Sequence, residues 1–414
     1  MTFKKPGVPT TTDKYPVPHN LLTPMKDIHV SQTIEITAVG HGGAGLGRID
    51  GQVCFVPYGI PGDTLAITIT KSTKKVLWGE LVEVIEPSPD RVEPNYPGWT
   101  RSGVSTWLHF KYPAQAQWKR QIVRGCLGHI AGIDELEIGW REDPELRTGY
   151  RTRAEFHGDG KRFGFYALGS HDIVDTTRCP LCHPKMNDAL TQLRELGLKG
   201  SVTVTVNPEG DDVLVWTGFQ SRKLKDRFPL AGSSKDEGHP SRFFFDGIPI
   251  VNGTFSQSSL LLNRLLVDTV HQYLGKPTSV LDLYCGNGNL TLGLPERCEV
   301  IGIDHNKLAV KAADRVGRGT YYAGQESTMI KRIKEDQWDA ILLDPPRAGA
   351  KVLVPALAQC HARTLVYVSC DPATLARDLK GLYDGGWRVV QMNALDLFPN
   401  TAHVETVCLL KRDA

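Results

Sequence analysis

The sequence predicts an α/β protein. A doubly wound, mostly parallel C-terminal sheet follows a mixed α+β central region and a small N-terminal β-barrel. Three observations predict this. From about Ser256 onward, short β-branched runs alternate with helical stretches, the pattern of parallel strands joined by crossover helices. Two glycines, Gly286 and Gly288, follow the first of those runs, where a strand must turn tightly into a helix. Residues 30–87 instead alternate apolar and polar positions between glycine-rich turns, with no helical period.

Taken in order, residues 1–29 carry prolines and charges without an apolar core, and are expected to form a flexible arm rather than a secretory signal. In residues 30–87, Ile34, Ile36 and Ala38 alternate; Val53, Phe55 and Pro57 continue after the glycines of His41–Gly47. Ile60-Pro-Gly-Asp63 reads as a turn between that set and Leu65, Ile67 and Ile69; Leu81–Ile85 closes the barrel. Lys71-Ser-Thr-Lys-Lys75 is expected in a loop, as a solvated turn or a phosphate contact. Glu86–Pro94 is a proline-rich linker. Residues 95–250 form the central region, with a helix near Ala114–His129 and strands near Ser201–Val206 and Val213–Trp216. Residues 251–414 form the α/β domain. It has a helix over Leu260–Tyr273 and strands at Val280–Tyr284, Val300–Asp304, Ala340–Asp344, Thr364–Ser369, Trp387–Asn393 and Thr406–Lys411.

Bulk composition narrows the class. The 414 residues are 41% hydrophobic and 23% charged, as in ordinary soluble proteins, and no apolar run reaches membrane-spanning length. A formal net charge of +2 neither demands nor excludes nucleic acid, so such a contact would need a local basic face. The nine cysteines are scattered and odd in number, which argues against a disulfide framework and for a reducing, cytoplasmic setting. No membrane partner and a monomeric state are expected.

The strand ends carry the chemistry, since open α/β sheets bind ligands beyond the carboxyl ends of their strands. Tyr284-Cys-Gly-Asn-Gly-Asn289 lacks the third glycine of the dinucleotide fingerprint, because Thr291 stands there. Asp304 ends the second strand, and either receives ribose hydroxyls or caps the next helix. Asp344-Pro-Pro-Arg-Ala-Gly349 is a rigid loop whose acid suits a positively charged cofactor such as a sulfonium. Cys370 ends a β-branched run and precedes Asp371-Pro372, a helix start; it is a candidate nucleophile or a small buried packing residue. Glycines after strand one, an acid after strand two and a later Asp-Pro-Pro together resemble an S-adenosylmethionine-dependent methyltransferase with a Rossmann-like sheet.

Four segments make the resemblance specific. Leu281–Asn289, Asp344–Gly349, Ser369-Cys-Asp-Pro-Ala-Thr-Leu-Ala-Arg-Asp378 and Phe398-Pro-Asn-Thr-Ala-His-Val-Glu405 resemble, in order and content, the RNA 5-methyluridine (uracil-5-) methyltransferases. Residues 30–87 resemble the RNA-binding TRAM barrel of the ribosomal RNA members. The resemblance implies that Cys370 adds to carbon 6 of uracil and that Glu405 is the general base. It also implies S-adenosylmethionine binding by Tyr284, Asn289, Asp304 and Asp344, with Gln257 and Gln325 as weaker matches; near Gln257, Ser259 replaces the family's usual asparagine. RNA is the implied partner, with 23S rRNA favoured over tRNA. A target base must leave its stack, and Phe243, Phe244 and Phe245 are either stacking partners or core. Arg151 and Arg153 either hold phosphates or simply alternate on a strand.

Many family members carry an iron–sulfur cluster. Tyr96, Ser102 and Ser105 stand where three of its four ligands would be, leaving Cys179, so no cluster is expected. Cys179-Pro-Leu-Cys182 has no second pair with which to hold zinc, and no metal is expected. Competing readings are a tRNA uridine-5 methyltransferase, a nicotinamide-dependent oxidoreductase, an adenine methylase (disfavoured by Arg347 after Asp-Pro-Pro), and a non-catalytic RNA-binding assembly factor.

Overall fold

A computed structural model describes residues 32–96, 103–335 and 338–412. The expected N-terminal arm and Ser102 lie outside the described residues. The chain divides into two compact units, Met1–Val92 and Glu93–Ala414.

The first unit is a curled six-stranded sheet. Its strands are Gln32–Glu35, Ala38–Val39, Gly45–Ile49, Gln52–Val56, Thr64–Ser72 and Val76–Glu86, in the spatial order first, fifth, sixth, fourth, third, second. Ile34, Ile36, Cys54, Val56, Leu65, Ile67 and Leu77 fill its core. Gly45 and Gly47 are required by proximity: a Cβ would lie 2.6 Å from the Gly59 carbonyl oxygen and 2.3 Å from that of Glu35. The Ile60–Asp63 turn does more than reverse the chain. Asp63 is fully buried, accepts the Ile60 and Ser88 amides, and holds the Arg91 guanidinium through both oxygens at 2.9 and 2.6 Å. The linker is thereby stapled to the barrel. The loop expected at Lys71–Lys75 is shorter than read: Lys71 and Ser72 complete a strand, and the Lys71 ammonium lies 4.7 Å over the Trp78 ring.

The second unit contains two large sheets. In the central one, strands run in the order Ile173–Asp175, Phe163–Tyr166, Arg153–Asp159, Lys199–Val206, Val213–Thr217, Ala231–Ser233. The hairpin Arg242–Phe245/Ile248–Val251 follows. Strand alternation decides the phenylalanine question: Phe243 and Phe245 are core, and Phe244 is 54% exposed.

The C-terminal sheet comprises β1 (Ser279–Leu283), β2 (Glu299–Asp304), β3 (Thr320–Ala323), β4 (Ala340–Leu343), β5 (Thr364–Ser369), β6 (Trp387–Leu395) and β7 (Glu405–Arg412). Their order is β3-β2-β1-β4-β5-β7-β6, and Gly139–Arg141 adds a parallel strand beside β6. Both faces are covered, which is why the strands read as continuous apolar runs. Leu281, Leu283, Ile341, Leu343, Leu365 and Tyr367 face one core, while Val280, Val300, Leu342, Val366 and Val368 face the other.

Two strands of this sheet escaped the sequence reading. β3 is four residues long with one buried side chain, and Gly139–Arg141 has none. The latter strand and helix α1 (Tyr112–Cys126) pack on β6, so part of the central region belongs to the C-terminal sheet. The helix expected over Leu260–Tyr273 is α2 (Asn263–Leu274), because Ser259–Leu262 form a preceding turn. The crossovers that flank the site are α3 (Lys307–Asp314) and α4 (Glu326–Glu335), then α5 (Val354–Gln359) and α6 (Pro372–Asp384).

Candidate active site

Parallel pairing aligns the ends of four strands. Leu283 of β1 pairs with Ile303 of β2 and Leu343 of β4, and Leu343 pairs with Tyr367 of β5. Tyr284, Asp304 and Asp344 therefore sit side by side at one edge, with Cys370 just beyond β5. The strand order reverses between β1 and β4, so Tyr284 and Asp344 flank the switch point where such sheets open a crevice.

The turn after β1 is strained into shape. Tyr284 has φ 64°, Gly286 54° and Gly288 77°, all left-handed. The Gly286 amide donates to Asp304 at 3.1 Å, joining the β1 and β2 turns. Space beside Gly286 is open: a Cβ there would meet nothing within 4 Å. Asp304 does not cap α3. Asn306 does, accepting the Leu308 and Ala309 amides, while Asp304 accepts the amides of Gly286 and Asn306.

Three acids crowd this edge. Burial, followed by the charge of Asp304, pushes the Asp282 carboxyl up to about 7, even with a Thr291 hydroxyl donating to it. Burial pushes Asp344 up to about 7 as well, with Asp282 and Asp304 adding to the shift. Burial likewise pushes the Tyr284 hydroxyl up to about 12. The charges acting on Asp344 are thus all negative, and the donor set fits a cationic ligand. Asp282 was not picked out from the sequence; its position one residue before the end of a buried strand was the available signal.

The other expected cofactor residues differ. The Asn289 carboxamide is locked in a reciprocal pair with Asn263 of α2, at 2.7 and 2.9 Å. Asn263, also unrecognised in the sequence, thus orients it. Gln325 is exposed just before α4, two residues beyond β3. Gln257 is half-buried in the segment after the Ile248–Val251 strand; the next carbonyl, of Ser258, accepts the Thr152 and Arg153 amides. The Arg153 guanidinium reaches Thr205 at 3.0 Å, and the Arg151 backbone forms an isolated parallel β-bridge with Cys182.

Cys370 lies between the last paired residue of β5, Ser369, and the N-cap of α6, Asp371, whose carboxylate accepts the Ala373 and Thr374 amides. Pro372 occupies the first helical turn as expected. β7 runs antiparallel to β5, and Ser369 pairs with Thr406. The next step of that register sets Cys370 opposite Glu405, which is 3% exposed. Burial first, then the negative charges of Glu405 and Asp344, push the Cys370 thiol up to about 12; Arg347 pulls it down. Glu405 is pushed far up by burial and by Asp344, again opposed by Arg347. Arg347, exposed in the Asp-Pro-Pro loop, is therefore the cation facing both groups. That loop is anchored through Asp378 of α6, which accepts the Ala350 amide and the Tyr367 hydroxyl, both at 2.7 Å, and the Arg377 guanidinium.

Where family members place cluster ligands, the Tyr96 hydroxyl donates to the Arg178 carbonyl at 2.6 Å, and Ser105 is buried. Cys179 and Cys182 are buried. Hydrogen bonding within the Cys179–Cys182 pair, helped by Arg151 and opposed by burial, draws the Cys179 thiol down and pushes Cys182 up. Among the described residues no three His, Cys, Asp or Glu side chains group to hold a metal ion, and no helix is long and apolar enough to cross a membrane.

Comparison with known proteins agrees with this fold. Residues 325–413 match the family model described as tRNA (uracil-5-)-methyltransferase, and residues 31–82 match the TRAM domain. An uncharacterized RNA methyltransferase of Streptomyces coelicolor is 32% identical, over 91% of this chain and 92% of its own. The 23S rRNA (uracil(1939)-C(5))-methyltransferase RlmD of Vibrio campbellii is 27% identical, over 92% and 96%. The crystal structure of Pyrococcus abyssi tRNA (uracil-54, C5)-methyltransferase with S-adenosyl-L-homocysteine shares the fold. Its TM-score is 0.70 at 24% identity, over 92% of this chain and all of that one. The barrel and the Rossmann-like sheet accord with these matches: the chain belongs to the RNA uracil-5 methyltransferase family.

Proposed function

We propose that the protein methylates carbon 5 of a uridine in RNA, using S-adenosylmethionine, Cys370 and Glu405. The observation that carries the assignment of residues is the register that brings Glu405 opposite Cys370 beside three acids suited to a cationic donor. S-adenosylmethionine supplies an electrophilic methyl group; Tyr284, Asn289, Asp304 and Asp344 hold it, with Gln257 and Gln325 at the margins. Carbon 5 of uracil is a weak nucleophile. Addition of the Cys370 sulfur to carbon 6 moves the ring electron pair onto carbon 5 and its conjugated carbonyl, and carbon 5 then takes the methyl group. Glu405 removes the carbon 5 proton. The electrons left behind form the 5,6 double bond and expel the sulfur.

Burial raises both groups and so favours their protonated forms, whereas Cys370 acts as a thiolate and Glu405 as a carboxylate. Arg347 favours both ionisations. A cationic donor beside Asp344 acts in the same direction by offsetting the acid that raises both.

Two relatives with different RNA substrates bracket the finer assignment. The Vibrio enzyme is named for 23S rRNA, and we assign 23S rRNA as the substrate class. The barrel does not itself exclude tRNA, since the match to the archaeal tRNA enzyme spans 92% of this chain and cannot do so without the barrel. The test is nucleotide-resolution mapping of 5-methyluridine in RNA from cells with and without the gene, paired with Cys370→Ala. The variant should lose methylation entirely and keep cofactor affinity within about twofold. Retained methylation would refute the mechanism, and a lost signal in tRNA rather than 23S rRNA would move the substrate.

A further inference from the structure

The segment between β6 and β7, residues 396–404, delivers Glu405 to Cys370, and its anchoring is unusual. Asp396 and Lys119 of α1 form an ion pair with both side chains 0% exposed, at 2.7 Å. The Lys119 ammonium also donates to the Phe398 carbonyl at 3.0 Å and lies 5.9 Å from the centre of the Trp107 ring. Asp396 accepts the Tyr112 hydroxyl at 2.8 Å and the Phe398 amide at 3.2 Å. Further along, Pro399 accepts the Tyr150 hydroxyl at 3.0 Å. Asn400, left-handed at φ 62°, exchanges hydrogen bonds with Gln115: its amide donates to the Gln115 oxygen, and the Gln115 amide group donates back to the Asn400 side chain, both at 3.0 Å. Its side chain also donates to the Arg147 carbonyl at 2.7 Å.

Stability alone does not explain a desolvated pair at this position. Moving two charges out of water is costly, and apolar residues of similar volume are often as stable. What a fully satisfied buried pair supplies is a single permitted geometry. Here it fixes one end of a segment that carries the proposed base at its other end. Cys370 does not share these anchors, because the Asp371 cap and β5 hold it.

We infer that the Lys119–Asp396 pair, with the Gln115–Asn400 exchange, positions Glu405 for proton removal and so governs release of the RNA from Cys370, without governing formation of the covalent bond. The inference rests on the proposed roles of Cys370 and Glu405. Lys119 and Gln115 are positioning residues; neither touches the reacting atoms.

The test compares three variants of the full chain. Lys119→Met/Asp396→Asn removes both charges together, so that no unpaired charge stays buried. Asn400→Gly keeps the left-handed backbone and removes only the side-chain contacts, and it serves if the double variant does not fold. Glu405→Gln is the reference. Each is mixed with S-adenosylmethionine and in vitro transcripts of 23S rRNA and of tRNA, and the protein–RNA adduct is followed on denaturing gels. Glu405→Gln should accumulate adduct. The double variant should also accumulate it, with turnover at least tenfold lower, KM for RNA within about twofold and formation of adduct at the parent rate. Asn400→Gly should show a smaller effect of the same kind. Parent-like release in a folded variant would overturn the inference, as would a parallel loss of adduct formation, which is the mark of general damage. If Glu405→Gln itself gives no adduct, the assigned base fails, and that result is distinguishable from failure of the clamp.

Discussion

Arg347 matters because it is exposed while the two groups it serves are not. Its charge opposes the upward pull of burial on Cys370 and on Glu405. Arg347→Met should therefore slow methylation about tenfold and move the alkylation pH profile of Cys370 upward by about one unit, the scale of a single nearby charge. Asp282 offers a second test, in stability. Its folded value of about 7 lies above the ordinary 3.8. The folded state thus binds the extra proton, and its contribution is fully present below about pH 4 and lost as pH rises through about 7. Asp282→Asn should gain stability relative to the parent between pH 5 and 7.5 in chemical denaturation, with the difference levelling above that. Some of these residues were legible in sequence and others were not. Asp304, Asp344 and Cys370 each end a β-branched run, so chain direction alone placed them at one edge. Asn263 and Asp282 gave no such sign, because one works by pairing with Asn289 and the other sits one residue inside β1, where the Thr291 hydroxyl donates to it.

At the scale of elements, the cap of α6 joins folding to chemistry. Asp371 accepts two amides and is the immediate neighbour of Cys370. Asp371→Ala should cost about 1 kcal/mol of stability and reduce the methylation rate, while Asp371→Asn, which keeps an accepting oxygen, should restore both. Thermal denaturation and single-turnover rates check this pair. The Cys-Asp-Pro motif was read correctly as strand end and helix start because every signal there is local. The opposing strand was different. Thr406–Lys411 could be recognised as β-forming, but nothing local says that it enters between β5 and β6 in reverse. Short strands fared worst: β3 offers one buried residue and Gly139–Arg141 none, too little alternation to rise above the surrounding turns.

For the whole molecule, the two units have separate interiors. Barrel residues alone make up the Ile34–Leu77 core. Ile67 is fully buried there, so Ile67→Ala should destabilise the barrel by about 2–5 kcal/mol. Calorimetric titration with S-adenosylmethionine should show unchanged cofactor affinity, and filter binding should show weaker RNA affinity. An equal loss of both would mean that the barrel supports the sheet directly. Long-range partnerships are what the sequence hid at this scale. Lys119 and Asp396 are 277 residues apart, and each alone reads as an ordinary surface charge.

The reversed last strand also sets how this enzyme can change over evolutionary time. Cys370 and Glu405 meet because six successive ladder pairs, from Thr364–Lys411 to Ser369–Thr406, keep count between them. A substitution in that ladder alters packing. Gaining or losing one residue turns every following side chain to the opposite face and shifts the glutamate off the cysteine. Insertions and deletions within β5 or β7 should therefore be far scarcer among functioning relatives than exchanges of one apolar residue for another, which an alignment of those relatives checks.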